Sequence, residues 1–350
     1  MKRGFENYSA LDNRELSFEI AHVFHYAAEK LGGAQKIIHQ IHSQGGPNSK
    51  ILAFDEIWKG SSRESSSMIK CIIALINLIM FRKNAFVYFH HRIFLPIAYV
   101  IPSRCAFVCH NIFPNKNAAY RFFGSARCIA VSEEVRDYLH MWNPRFRVEV
   151  IVNGISAEKD EDHKKGCTEF FDIGFVGRVD YQKGADLIFD AAAELVKSEG
   201  LPIRLHMVGE PGLMGAELVR RAQALSLSSE FLTLHGYSAS PFKVIRKVDL
   251  VCIPSRYEGF GLVFYEALER NHFVLAAKLP VFHAYSWDSR TVFFQPESPA
   301  DLLVKLRDCV KLSRSFPPTD TDIKRHGIPS VATMIDGYVA YARNVLQGRG

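Results

Sequence analysis

Glu258 and Glu266 stand eight positions apart in Pro254-Ser-Arg-Tyr-Glu-Gly-Phe-Gly-Leu-Val-Phe-Tyr-Glu266, with Gly259 and Gly261 between them. A carboxylate beside phosphate is repulsive unless it faces hydroxyls or is offset by cations, so the two glutamates read as acceptors for sugar hydroxyls. A vicinal diol offers two donors that one carboxylate accepts together. The run Asp249-Leu-Val-Cys-Ile253 reads as a buried strand that Pro254 and Ser255 stop, and the apolar positions 263, 264, 267 and 268 then recur at helical spacing. Gly259, Phe260, Gly261 and Leu262 therefore open a helix. Its unpaired N–H groups attract phosphate oxygens, and glycine lets a ligand approach without a Cβ in the way. The competing reading is a plain strand-to-helix turn with a solvated Glu258 and a Glu266 that decorates a helix.

A second constellation lies in Phe175-Val-Gly-Arg-Val-Asp-Tyr-Gln-Lys-Gly184, which puts Arg178 and Lys183 on one loop between a strand and a helix with apolar residues at 187, 188, 191, 192 and 195. In open α/β sheets the loops at the carboxyl ends of strands line the ligand crevice, so this loop and that of Glu258 are expected to share a cleft. Fixed cations there stabilise the charge that grows on a departing diphosphate more than they stabilise the ground state. Ordinary surface charge on an exposed loop is the alternative.

These loops need a particular scaffold. Strand-like runs near 20–25, 51–55, 86–90, 105–109, 127–131 and 147–152 alternate with helical patterns near 34–44, 66–82, 92–100 and 132–140. A second series has strands near 171–176, 203–208, 231–235, 249–253, 273–276 and 292–295. The alternation predicts an α/β protein of two doubly wound, Rossmann-like domains, one at 1–155 and one at 169–328, facing a cleft. The charged stretch 156–168 reads as their linker, and residues 329–350 as a last helix packed near the hinge.

With 350 residues, 48% hydrophobic and 23% charged, the chain can bury two ordinary cores. A net charge of +6 suits anionic ligands or an anionic membrane surface, and without a basic tract interleaved with aromatics it does not point to nucleic acid. The seven cysteines are odd in number and form no Cys-x-x-Cys pair, which fits reduced core residues in a cytoplasmic protein. The first thirty residues carry Asp12, Arg14, Glu15 and Glu19 and hold no signal-peptide apolar region. The longest apolar stretch, Met68 to Phe81, is fourteen residues and contains Lys70 and Asn77, too short to span a bilayer. With Arg82 and Lys83 it suits peripheral docking on anionic lipid, a buried helix being the favoured alternative.

Gly177-Arg-Val-Asp-Tyr-Gln-Lys-Gly184, with Pro254 to Glu266 some seventy residues on, resembles the GT-B glycosyltransferases of family 4, the glycosyl transferases group 1. Gly32-Gly33, Ala130-Val-Ser-Glu-Glu-Val-Arg136, Val152-Asn-Gly-Ile155, Met207-Val-Gly-Glu210 and His235-Gly-Tyr237 extend the resemblance over nearly the whole chain. The resemblance implies that Gly177, Arg178 and Lys183 meet the donor diphosphate, Glu266 the ribose and Glu258 the transferred sugar. The amides of Gly259 to Leu262 would support phosphate and sugar, and His235, Gly236 and Tyr237 would border the nucleobase. His110 matches a histidine that the family often keeps beside the reacting centre, where an imidazole binds the sugar or polarises a hydroxyl; a histidine hydrogen-bonded at a strand end is the alternative. Gly32-Gly33 would bring amides to the donor or to an acceptor, or form a plain turn.

The implied activity is retaining, metal-independent transfer of a sugar from a nucleotide-sugar donor, with no cofactor, to a hydroxyl of a glycan or lipid-linked acceptor in bacterial-type surface polysaccharide synthesis. It would take place in the cytoplasm or at the inner face of the membrane. No metal is expected, since His39 with His42 and His90 with His91 lack carboxylates or cysteines in ligand spacing, and Asp160-Glu-Asp162 falls in the linker. A nucleotide-sugar epimerase of the same fold and a non-catalytic sugar-nucleotide-binding subunit are the rivals. A nicotinamide dehydrogenase would need the Gly-x-Gly-x-x-Gly that the first strand lacks.

Overall fold

A computed structural model of the chain describes residues 18–24, 33–44, 49–53, 75–77, 79, 84–113, 118–156, 169–284, 290–312 and 329–349. The chain divides into two units, one of residues 1–155 with 329–350 and the other of residues 156–328. The linker beyond Ser156, and most of the stretch 66–83 expected to be helical, lie outside the described residues.

The first unit holds β1 (Glu19–Phe24), α1 (Gly33–Gln44), β2 (Ser49–Ala53), β3 (Ala85–Phe89), α2 (Leu95–Val100), β4 (Cys105–Cys109), β5 (Arg127–Ala130), α3 (Glu133–Trp142), β6 (Arg147–Val150) and the closing α9 (Val331–Leu346). Its six strands pair in parallel in the order β2-β1-β3-β4-β5-β6. The helical pattern at 92–100 resolves into a 3-10 turn, Arg92–Phe94, followed by α2, because Pro96 sits in the first turn of α2 and can supply no backbone N–H to a continuous helix. Ser132 caps α3 by accepting from the Val135 N–H at 3.2 Å, and Glu133 and Glu134 complement the dipole in its first turn. The last helix completes this unit: α9 packs against α1, and the Tyr88 hydroxyl donates to the Tyr338 carbonyl at 2.6 Å.

The second unit holds β7 (Phe171–Val176), α4 (Ala185–Glu199), β8 (Ile203–Val208), α5 (Gly212–Ala224), β9 (Leu232–Gly236), α6 (Pro241–Val244), β10 (Leu250–Ile253), α7 (Leu262–Glu269), β11 (Val274–Ala277), β12 (Thr291–Phe294) and α8 (Pro299–Leu312). Its parallel sheet runs β12-β11-β10-β7-β8-β9. The strands β3, β4, β10 and β11 are buried at every residue, as apolar strands of a parallel sheet covered by helices must be.

Strand order fixes where a ligand can sit. From β7 the chain moves outward through β8 and β9, then returns to β10 on the other side, so the switch point lies between β7 and β10. In the first unit the switch lies between β1 and β3. Among the described residues five cysteines, Cys105, Cys109, Cys128, Cys252 and Cys309, are buried free thiols. Burial pushes those of Cys105 and Cys109 up to about 12, which keeps them protonated and inert.

Candidate active site

The loop after β7 and the loop after β10 meet at the switch point of the second unit. Gly184 is where they cross: it has φ +69°, and a Cβ there would stand 2.0 Å from the Pro254 carbonyl oxygen, so only glycine fits. The Arg256 N–H donates to the Gln182 carbonyl at 2.9 Å. Lys183 and Glu258, 75 residues apart in sequence, thereby come into direct contact, Nζ to Oε1 at 2.6 Å. The Ser255 hydroxyl donates to the same Oε1 at 2.7 Å. Glu258 is 9% exposed, so the lysine and the serine together offset the desolvation of its carboxylate. Both bonds fall on Oε1, and among the described residues Oε2 has no partner.

Arg178 lies on the same loop and is the more open cation, with 59% of its side chain exposed. It reaches Asp180 at 3.1 Å and donates to the Gln182 side-chain oxygen at 3.0 Å, while Gln182 in turn donates to the Tyr257 carbonyl at 3.4 Å. Asp180 also accepts from the Lys183 N–H at 3.0 Å, which fixes the turn that presents both cations.

Gly259, Phe260 and Gly261 are buried, and Gly261, with φ +79°, is the N-cap of α7. A Cβ on Gly261 would meet the Phe282 ring at 2.2 Å. The amides at this helix start, with Leu262 at the first helical position, lie just after Glu258 in the chain. Glu266 is buried one turn into α7.

Arg256 braces the two loops, and sequence reasoning passed it over. Its side chain is 8% exposed, donates twice to Asp186 at 2.9 and 2.7 Å and to the Tyr181 carbonyl at 2.6 Å, and lies 3.6 Å from the centre of the Tyr181 ring. The available signal was an arginine two places before Glu258 and an acid, Asp186, in the first turn of α4; the fork geometry is visible only in three dimensions.

The remaining expected positions fall elsewhere. The His235 ring turns along the sheet and meets His206 at 3.3 Å, and His206 reaches Asp172 at 3.1 Å, which also holds Arg204 in a two-point pair. Burial, then the neighbouring His206, lowers the His235 pKa. At the end of β9, Gly236 has φ +72° and Tyr237 is half-buried. Gly33 is the exposed first residue of α1, and Gly32 lies outside the described residues.

His110, in the first unit, ends a row of three histidines that runs from His22 within β1 to His90 and His110, the residues just after β3 and β4. His22 Nδ1 stands 2.9 Å from His90 Nε2, and His90 Nδ1 stands 2.7 Å from His110 Nε2. The rings stack at 5.2 and 5.0 Å. Both outer nitrogens, His22 Nε2 and His110 Nδ1, are buried without a partner among the described residues. Burial holds His22 down at about 3 and His110 at about 4, and His90 also falls well below the ordinary range. Each interior contact takes one N–H, so a neutral row has a single N–H left to place, at one end or the other. His90 uses a different nitrogen toward each neighbour, which makes a chain of hydrogen bonds and not a coordination shell. Among the described residues no group of three or more His, Cys, Asp or Glu is arranged to hold a metal ion.

Comparison with known proteins identifies the architecture. Residues 158–325 match the family model described as Glycosyl transferases group 1. A D-inositol 3-phosphate glycosyltransferase from Rhodococcus erythropolis is 36% identical over 111 residues, 30% of this chain and 25% of that protein. The chain thus spans about a quarter of the length of that curated relative. The crystal structure of Anabaena Alr3699/HepE in complex with UDP and glucose superposes with a TM-score of 0.67 at 15% identity, over 95% of this chain and 98% of that one. A glycosyltransferase from Rickettsia africae gives 0.68 at 15% identity, over 95% and 99%. The match over residues 158–325 makes the second unit similar to the glycosyl transferases group 1, and the chain as a whole has the GT-B fold.

Proposed function

We propose that the protein is a retaining, metal-independent glycosyltransferase that moves a sugar from a nucleotide-sugar donor to a hydroxyl of a glycan or lipid-linked acceptor in bacterial-type surface polysaccharide synthesis. The contact between Lys183 and Glu258 at the switch point carries the reading. A lysine alone would attract any phosphate, and a glutamate alone would repel one; together, at a helix start rich in glycine, they suit a ligand that joins phosphates to hydroxyls.

In this reading Lys183 and Arg178 face the diphosphate and stabilise its departure, the amides of Gly259 to Leu262 take phosphate oxygens, and Glu258 accepts from sugar hydroxyls through its open Oε2. Glu266 meets the ribose. The backbone at Gly236 and Tyr237 borders the base, because the His235 ring is already engaged with His206. The Anabaena Alr3699/HepE structure, a complex with UDP and glucose, supports a UDP-sugar as the first donor to try. The test is a screen of nucleotide sugars for thermal stabilisation, followed by incubation with a labelled donor and acceptor lipid extracts. A labelled sugar joined to an acceptor supports transfer, and a product that stays a nucleotide sugar of altered configuration means epimerisation instead.

A further inference from the structure

The row of His22, His90 and His110 can run in two directions, which differ in the nitrogen that carries the proton on every ring. Run outward, His22 Nδ1–H donates to His90 Nε2 across 2.9 Å and His90 Nδ1–H donates to His110 Nε2 across 2.7 Å. His110 then keeps the spare proton on Nδ1. Run inward, all three rings are protonated at Nε2 and the spare N–H falls on His22. Both arrangements share the same heavy-atom distances, so the surroundings of the two ends decide between them.

The inner end is closed. His22 is fully buried, its ring stacked on Tyr88 at 5.4 Å and met edge-on by Tyr338 at 6.2 Å. His42, whose charge is felt at His22, has its own Nδ1 3.4 Å from the Ser49 hydroxyl. His22 Nε2 and the Tyr338 hydroxyl are both buried without a partner among the described residues. The tyrosine already brings one donor to this region, so an Nε2–H would add a second with nothing to take it, whereas a bare Nε2 adds an acceptor. A buried N–H without a partner is in any case rarer than a buried acceptor without one. The outer end is different: His110 follows β4 and is half-buried, at the edge of a parallel sheet where ligands are met.

We infer that His22 and His90 are positioning residues that run the row outward and lock His110 as its Nδ1–H tautomer, so that His110 offers a neutral N–H donor and cannot serve as a base. Its Nε2 is taken by the His90 N–H and its Nδ1 is already protonated, which leaves no lone pair to receive a proton. Burial, which holds all three rings below the ordinary histidine range, keeps the row neutral and the direction defined. Within the transferase reading, His110 then gives its N–H to a ligand oxygen and has no part in taking the proton of the attacking hydroxyl. The tautomer itself rests on the row alone and not on that reading.

The experiment is nitrogen-15 NMR of the full, ligand-free chain labelled at histidine, since couplings between ring nitrogens and ring-carbon protons tell a protonated nitrogen from a bare one. The three rings, assigned among the fourteen histidines by single substitutions, are expected to show protonated Nδ1 and bare Nε2 together at neutral pH. Imidazole in water prefers the opposite tautomer, so the pattern does not arise by default. His90→Phe, with a melting curve and backbone amide spectrum that show an intact fold, should abolish the pattern at His110 and leave that ring averaging over both tautomers. Should this variant fail to fold, the measurement on the parent chain decides alone. Three rings protonated at Nε2, mixed tautomers in the parent, or a His110 pattern that survives His90→Phe overturns the inference. None of these outcomes bears on the transferase reading, which fails separately if no sugar is transferred from any donor.

Discussion

Each unit places polar side chains at the carboxyl end of its sheet, around its own switch point, and the two solve the cost of burying them in opposite ways. In the second unit Lys183 and Glu258 are both ionic and offset one another at 2.6 Å. In the first, His22, His90 and His110 are kept neutral by burial and bond to one another. A pair of opposite charges with an open carboxylate oxygen can exchange its partners for a ligand. A self-bonded row of neutral rings has no charge to offer and holds its strands together. The doubly wound sheet alone therefore does not decide what a switch point can bind; the charge carried by the loops there does.

The sharpest way to break the comparison is to discharge the ionic side. Lys183→Ala should lower transfer about 100- to 1,000-fold, or about 2.7–4 kcal/mol of barrier, the scale of losing one donor to a developing anion. Stability should fall as well, because Glu258 is left with the Ser255 bond to Oε1 as its one remaining partner among the described residues. Steady-state rates beside a melting curve separate the two effects. A variant with parental turnover would remove Lys183 from the chemistry.

Next in size is the brace. Arg256→Ala leaves Asp186 without its two-point partner and Tyr181 without the guanidinium that lies on its ring, a loss of about 3 kcal/mol of stability by analogy with broken ion pairs of low exposure. Arg256→Lys should recover little of it, since an ammonium cannot reproduce the fork. Denaturant midpoints read the difference, and full recovery in the lysine variant would show that charge alone holds the loops.

The neutral side is probed with pH. The folded-state pKa values of the three histidines lie below the ordinary 6.5, so below that pH the unfolded chain takes up protons that the folded row refuses. Stability is therefore complete above about pH 6.5 and falls as pH drops toward 4, by about 1.4 kcal/mol per pH unit for each histidine involved. His90→Phe removes the central ring and frees its neighbours, so the slope of stability against pH across this window should shrink. An unchanged slope would mean that the row is hydrated and already charged.

The two sides also differ in how far the sequence revealed them. The alternation of apolar runs and helical spacing located the strands to within a few residues, because strands buried in a parallel sheet are nearly continuous in Val, Ile, Leu, Phe and Ala. Arg178, Lys183, Glu258 and Gly261 were visible because each lies in a short segment with its own punctuation of glycine or proline. The histidine row was not. His22 and His90 are 68 residues apart and His90 and His110 are 20 apart, each looks like an ordinary strand-end residue, and only the order β1-β3-β4 brings them side by side. The same holds for Arg256 with Asp186, 70 residues apart. Local pattern specifies elements; pairings of that range are specified by strand order, which one sequence carries only implicitly.

The smallest expected effect on stability belongs to Arg178, and it tests whether exposure marks function on the ionic side. With 59% of its side chain in solvent, its contact with Asp180 is screened and contributes at most about 1 kcal/mol to the fold. Arg178→Ala should therefore leave the melting temperature almost unmoved. On the proposed reading the same guanidinium meets a diphosphate in the ligand-bound state, where charge-assisted bonds are strong, so binding of the nucleoside diphosphate product and the rate of transfer should both fall by a much larger factor than stability does. Calorimetric titration with the diphosphate decides it: affinity equal to that of the parent would leave Arg178 a solvated surface charge and Lys183 the sole cation of the pair to act on the donor.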